Sequence, residues 1–310
     1  MHLIVPFAST LSPGRRVAAA EALPHLDRVV AAWAEVRRDS ADEGTLSPPH
    51  ERALARAIGL AAPDGCLPWA ARQAAAEGVA IGTQAWGQLT PVHWRVGSDG
   101  VHLADPDALG LADTESRLLF DAVRPVFERE GYTLAWAAAL RWYAAHDALQ
   151  GLACASLDRV IGRNIGAWLP RQPEARPLRR LQSEVQMLLH AHPLNEAREA
   201  AGALPVNSLW ISGCGAAQAE PAHDARLDDR LRGAALRDDA AAWRQAWQSL
   251  DADAIAPLLA AADRGHAVRL TLCGERSAVE LAPRPRRWWQ RIADTVAPSR
   301  ASASALLESL

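Results

Sequence analysis

The period of the apolar positions changes several times along the chain. His2–Phe7 is a short apolar run that predicts a buried first strand, ending at Ala8-Ser9-Thr10. Leu26, Val29, Val30 and Trp33 recur at helical spacing and predict a helix over 24–38, followed by a polar loop. Ser47-Pro48 has the form of a cap and a first-turn proline, which predicts a helix to about Leu60. A further helix is predicted over 68–77, stopped by Gly78. From Trp86 to Val96 the positions alternate. Ser98-Asp99-Gly100 then reads as a turn and Val101–Ala104 as the partner strand. Asp113–Glu130 is amphipathic and ends at Gly131. Tyr132–Trp136 and Leu140–Ala145 read as strands, and Leu178–His190 and Leu194–Ala201 as helices. Val206–Ser212 reads as a strand closed by Gly213-Cys214-Gly215. The last third predicts helices over 226–249 and 253–263, strands His266–Cys273 and Ser277–Leu281, and a short helix Arg287–Val296. Helices and strands interleave throughout, so the class is α/β or mixed α+β.

Composition narrows the chemistry. The 310 residues include no lysine, and all 33 basic residues are arginine. A GC-rich genome accounts for this usage, but the chemical consequence stands. Schiff-base, pyridoxal-phosphate and phosphate-loop chemistry all lack their lysine. A formal charge of −3 argues against a dedicated nucleic-acid binder. No apolar run reaches about 18 residues, so no membrane span is expected. The N-terminus carries no basic leader, and a cytoplasmic location is expected. Cys66, Cys154, Cys214 and Cys273 are scattered without a Cys-x-x-Cys pair, which suggests neither a zinc site nor a disulfide framework.

Most local motifs have a plain reading. Gly213-x-Gly215 follows a strand, but Gln218 stands where a dinucleotide fingerprint needs its third glycine. A turn allowing close backbone approach is the better reading. His190-Ala191-His192 reads as a helix-end cap, and His50-Glu51 lacks the second histidine of a zincin because Leu54 holds that place. His223 with Asp224, Asp228 and Asp229 reads as an acidic helix start. Arg286–Arg291, with Trp288 and Trp289, reads as an amphipathic helix face rather than a nucleic-acid stack. Arg141, Arg159, Arg163 and Arg198 fall inside patterned segments, where arginine pairs with a carboxylate or clamps an anion.

One passage is more specific. His192-Pro193-Leu194-Asn195-Glu196-Ala197-Arg198 is followed by Gly202, then Leu204-Pro205-Val206-Asn207-Ser208-Leu209-Trp210, then Gly213-Cys214-Gly215. It resembles the central segment of the archaeal-type cofactor-independent phosphoglycerate mutases, and the order of elements over about 85–215 is similar to that family's inserted subdomain. Ser47–Arg56, Leu89–Trp94, Ser156–Asn164 and Leu181–Gln186 extend the likeness to the RpfE-type bacterial regulatory proteins. The resemblance implies an alkaline-phosphatase-like mixed α/β core, from 1–84 and 216–310, with an inserted α+β subdomain over 85–215.

The chain departs from that family where the metals bind. In the mutases the first strand ends in a metal-binding Asp-Gly and a late strand supplies an Asp-His pair. Here the corresponding stretches read Pro6-Phe7-Ala8-Ser9-Thr10 and Leu272-Cys273-Gly274-Glu275. The expectation is a non-catalytic regulatory protein without metal or cofactor. It holds a small phosphorylated or carboxylated metabolite through Arg141, Asn195, Arg198 and Asn207, with Gly213 and Gly215 permitting close approach. Two alternatives are a metal-dependent mutase or phosphatase using His93, Asp105, Asp107, His223 and Asp224, and a protein-interaction module.

Overall fold

A computed structural model describes residues 1–9, 23–219, 221, 223–284 and 302–310. The expected helix at Arg287–Val296 and the Arg286–Arg291 stretch lie outside the described residues, as does Thr10. The described residues form two compact units. One comprises Met1–Glu43, Pro48–Gly59 and Pro221–Leu310; the other comprises Gly44–Ser47 and Leu60–Glu220.

The first unit is built on a five-stranded mixed sheet in the order β2-β11-β10-β1-β9. Its strands are β1 (His2–Val5), β2 (Trp33–Ser40), β9 (Ala225–Leu227), β10 (Arg269–Cys273) and β11 (Ser277–Pro283). β1 runs parallel to β9 and β10, and β11 runs antiparallel to β10 and β2. Strand alternation divides the side chains. Leu3, Val5, Leu270, Leu272, Val279 and Leu281 point into one core. That core is covered by α1 (Pro24–Ala32), α8 (Arg232–Leu236), α9 (Ala240–Leu250), α10 (Ala256–Asp263) and α11 (Ala303–Glu308). The other sheet face meets α2 (Pro49–Ala57), which buries Ala53 on Ile4, Cys273 and Ala278.

Between α9 and α10 a π-helical turn, Asp251–Ile255, turns the buried Asp251 carboxylate onto the start of α1. It accepts the N–H groups of His25 and Leu26 at 3.1 and 2.8 Å, and the His25 ring at 2.9 Å. Two otherwise unpaired donors of the helix N-terminus are satisfied in this way.

The second unit carries a four-stranded sheet, β6-β7-β3-β8, whose neighbours all pair antiparallel. Its strands are β3 (Ala85–Val92), β6 (Thr133–Ala138), β7 (Arg141–Ala145) and β8 (Ser208–Ala216). A hairpin of β4 (Trp94–Gly97) and β5 (Gly100–Leu103) follows β3. One sheet face packs on α4 (Asp113–Glu128) and α6 (Arg176–His190), with Trp142, Leu119 and Leu181 buried between them. The other face packs on the alanine stripe Ala70, Ala71 and Ala74 of α3 (Trp69–Ala76). The short α5 (Leu157–Val160) and α7 (Pro193–Ala200) complete the unit.

The mixed α/β class agrees with the sequence pattern, with three local corrections. The helix expected to reach Arg38 ends at Ala32, and Trp33–Ser40 is an edge strand on β11. After Trp33 the large apolar residue that could continue the helical face is Val36, and it is exposed. The helix expected over 226–249 is a strand followed by two shorter helices, interrupted at Asp238, which takes a φ of 57°. Ser47 does not cap α2: Pro48 holds the cap position, and the Ser47 hydroxyl accepts the Gly65 N–H at 2.9 Å.

Candidate functional site

The residues singled out by the mutase-like resemblance all fall in the second unit, and most of their polar atoms bond within the fold, the buried Arg141 Nε being an exception. Asn195 is 4% exposed. Its amide nitrogen donates to the Leu189 and Val206 carbonyls, both at 2.7 Å, and its oxygen accepts the Val206 N–H at 2.9 Å. It thereby ties the end of α6 to the approach to β8. Asn207 brackets Trp94 in the same manner, accepting its N–H at 2.7 Å and donating to its carbonyl at 2.9 Å. Arg198, 5% exposed, donates to Glu115 at 2.8 Å, to the Leu204 carbonyl at 3.0 Å and to the Leu109 carbonyl. An anion at Arg198 would have to displace a carboxylate and two carbonyls. Arg141 lies on the other sheet face, paired with Glu77 at 2.5 Å. Tyr143 donates to the same carboxylate at 2.8 Å.

Gly213 and Gly215 do permit close approach, but the partner is the chain itself. Gly213 takes a φ of 65°, and a Cβ there would sit 2.9 Å from the Ala70 nitrogen. A Cβ at Gly215 would sit 3.1 Å from the Pro68 side chain. The six residues therefore serve three separate places: the Asn195–Arg198 bracket, the Asn207–Trp94 bracket, and the packing of α3 with its Arg141–Glu77 neighbour.

The alternative metal ligands divide between the two units, His93, Asp105 and Asp107 in the second and His223 and Asp224 in the first. His93 is bonded to the Pro205 carbonyl at 2.9 Å, and Asp105 caps its own turn by accepting the Asp107 N–H. Asp224 pairs with the Met1 amino group. Among the described residues, no group of three or more His, Cys, Asp or Glu side chains could hold a metal ion. His192 acts as the expected cap, accepting the Leu194 N–H.

An open α/β sheet ordinarily takes its ligand beyond the carboxyl ends of its strands. In the first unit Phe7 and the buried His50 fill part of that place, ring centroids 5.7 Å apart. The Trp243 indole N–H donates to the Phe7 carbonyl at 3.0 Å.

The cleft of this unit opens elsewhere. α2 has only nine residues and covers one half of its sheet face. The register places His2, Arg269, Thr271, Glu280 and Arg37 side by side on that face. Over part of this polar floor lies a cleft of about 770 Å³, lined by His2, Arg37, Arg56, Arg269 and the carboxylates Asp224 and Glu280 among others.

Its electrostatics are ordered. Glu280 is 8% exposed and is held by Arg269 at 2.5 Å. Arg56 reaches Asp39 at 2.7 Å, and Arg52 meets the same carboxylate at 3.1 Å. Burial works to raise the Asp39 pKa, but the two arginines overcome it and hold the carboxyl below its ordinary range. His2 accepts or donates at Thr271 Oγ1 over 2.8 Å. Burial pushes the His2 pKa down, Glu280 opposes this and Arg269 adds to it, and the net direction is downward. Thr271 is itself 1% exposed, so its hydroxyl orients His2 rather than facing solvent. Arg37 stands exposed at the cleft edge with no ion pair to a described residue. Nothing in the local sequence sets these residues apart, because they lie on a predicted helix, an unremarkable strand and the chain start. Only strand pairing brings them together.

The sequence matches no protein-family model and no curated protein. Solved structures similar to it include a cofactor-independent phosphoglycerate mutase from Thermoplasma acidophilum. That likeness has 13% identity and a TM-score of 0.38, covering 100% of this chain and 98% of the mutase. Another is the PH0037 protein from Pyrococcus horikoshii, with 11% identity and a TM-score of 0.47, covering 91% of this chain and 87% of that one.

Proposed function

We propose that the chain is a phosphoglycerate-mutase-like regulatory protein that binds a small phosphorylated or carboxylated metabolite without turning it over. The proposed ligand site is the cleft on the open half of the first unit's sheet. The observation that carries this reading is the lining itself: Arg37, Arg56 and Arg269 around a cleft of about 770 Å³, a volume suited to a small molecule. Guanidinium groups bind carboxylate and phosphate through paired, charge-assisted hydrogen bonds, and a chain without lysine builds such a site from arginine. Arg37 supplies the unengaged charge, while Arg56 and Arg269 are held in place by Asp39 and Glu280.

The non-catalytic part of the proposal is supported by the residues that stand where the resemblance would put metal ligands. A two-metal phosphoryl-transfer centre holds its ions about 4 Å apart with several carboxylates and histidines. The first strand ends here in Pro6-Phe7-Ala8 and the late strand in Cys273-Gly274. Isothermal calorimetry with 3-phosphoglycerate and related anions tests the binding, and Arg37→Ala is expected to weaken it about tenfold or more. Absence of heat with every such anion would overturn the proposal, as would conversion of 3-phosphoglycerate to its isomer in the presence of Mn²⁺ or Mg²⁺.

A further inference from the structure

Two of the four cysteines, 60 residues apart in sequence, meet in the second unit, and a third, Cys66, lies on the chain segment packed beside them. The Sγ atoms of Cys154 and Cys214 are 3.6 Å apart, and both residues are buried. Cys214 lies on β8, while Cys154 follows the turn at Gly151. Cys66 stands beside them and is partly exposed. Its neighbour Gly65 accepts the Cys154 N–H at 2.9 Å, and its own thiol donates to the Gly151 carbonyl at 3.6 Å. A Cβ at Gly215 would lie 3.5 Å from the Cys66 carbonyl, so the Gly65-Cys66 backbone runs beside Cys154 and beside the neighbour of Cys214.

We propose that Cys154 and Cys214 form a reversible disulfide, with Cys66 as the thiol through which a low-molecular-weight disulfide enters. The distance fits the chemistry. A disulfide is about 2.05 Å long, so the sulfurs must close by roughly 1.5 Å, which side-chain rotation supplies. The steps balance as successive exchanges. The Cys66 thiolate attacks one sulfur of the disulfide RSSR, forming Cys66–S–S–R and releasing one thiol RSH. Cys154 then displaces the second RSH from Cys66. Finally Cys214 attacks the Cys154 sulfur, which leaves Cys154–S–S–Cys214 and returns Cys66 as a thiol. Two protein thiols are oxidised and one RSSR is reduced to two RSH. The entry thiol is needed because the buried pair offers no surface to the oxidant. Burial pushes the Cys66 pKa up, and the Cys154 hydrogen bond and burial do the same to Cys214. The thiolate fractions are therefore small and the exchange is slow at neutral pH.

The test uses the full native chain incubated with oxidised glutathione. Free thiols are then alkylated, and the protein is digested without reduction and mapped by mass spectrometry. The expected product is one cross-linked peptide pair joining Cys154 to Cys214, with Cys66 and Cys273 alkylated. Cys273 is the internal control, being buried in the first unit. In Cys66→Ser the same cross-link is expected to form at least about tenfold more slowly. Recovery of Cys154 and Cys214 as alkylated or glutathione-capped residues would overturn the pairing. An unchanged rate in Cys66→Ser would overturn the entry role.

Discussion

Arg198→Ala separates a structural arginine from a ligand clamp. In the folded chain Arg198 is 5% exposed, and its guanidinium joins Glu115 at 2.8 Å, the Leu204 carbonyl at 3.0 Å and the Leu109 carbonyl. Truncation leaves two carbonyls and one partly buried carboxylate without their donors. Breaking a buried charge pair from one side costs about 3–5 kcal/mol, and the orphaned carbonyls act in the same direction. Urea denaturation followed by tryptophan fluorescence measures this, because Trp142 and Trp210 are buried in the same unit. Glu115→Gln keeps an acceptor for the Arg198 and Ala112 donors and is expected to cost less.

The pH dependence has a definite sign. Burial works to raise the Glu115 pKa, but the Ala112 N–H and Arg198 together bring it below the ordinary carboxylate value. A depressed folded pKa contributes stability that is fully present above the unfolded value, near about 4.3, and is lost as pH falls through the folded one. The stability gap between wild type and Glu115→Gln should therefore close on acidification below about pH 4. A loss under about 1 kcal/mol in Arg198→Ala, combined with weakened anion binding, would contradict the structural role and return Arg198 to the ligand site.

Three other outcomes follow from particular contacts. Ser116 is fully buried, donates to the Ala139 carbonyl at 2.8 Å and accepts the indole N–H groups of Trp136 and Trp142 at 3.0 and 2.9 Å. Ser116→Ala should therefore cost about 2–4 kcal/mol in the same urea assay. Gly213→Ala places a Cβ 2.9 Å from the Ala70 nitrogen at a φ of 65°, and should lower the thermal midpoint by several degrees, equivalent to about 1–3 kcal/mol. The Cys154–Cys214 disulfide closes a loop of 60 residues and should stabilise the second unit by roughly 4 kcal/mol, read as added hydrogen-exchange protection of β8.

The sequence was legible wherever local chemistry decided the structure. The amphipathic run over Asp113–Glu128 is a helix, the Ser98-Asp99-Gly100 turn joins two strands, and His192 caps α7. It was misleading where pairing between distant strands outweighs local period. Trp33–Ser40 is a strand because β11 supplies its hydrogen bonds, and nothing within the segment announces that partner. The same limit governs the site. Arg198 stands out as an arginine in a patterned segment and Asn195 through the mutase-like passage, and their enclosed geometry accounts for both without a ligand. The cleft residues His2, Arg37, Arg56, Arg269 and Glu280 come from four strands and one helix that are adjacent only in the folded sheet. The cysteine trio was hidden for the same reason.

In the proposed function this arginine-lined cleft holds a small anion without reaction. Calorimetric titration of the wild-type chain and of Arg37→Ala with 3-phosphoglycerate, alongside an isomerisation assay with added Mn²⁺ on the same sample, tests it most directly. Saturable heat in the wild type, binding about tenfold or more weaker in Arg37→Ala, and no product in either are expected. Equal affinity in the two proteins, or metal-dependent product formation, would contradict it.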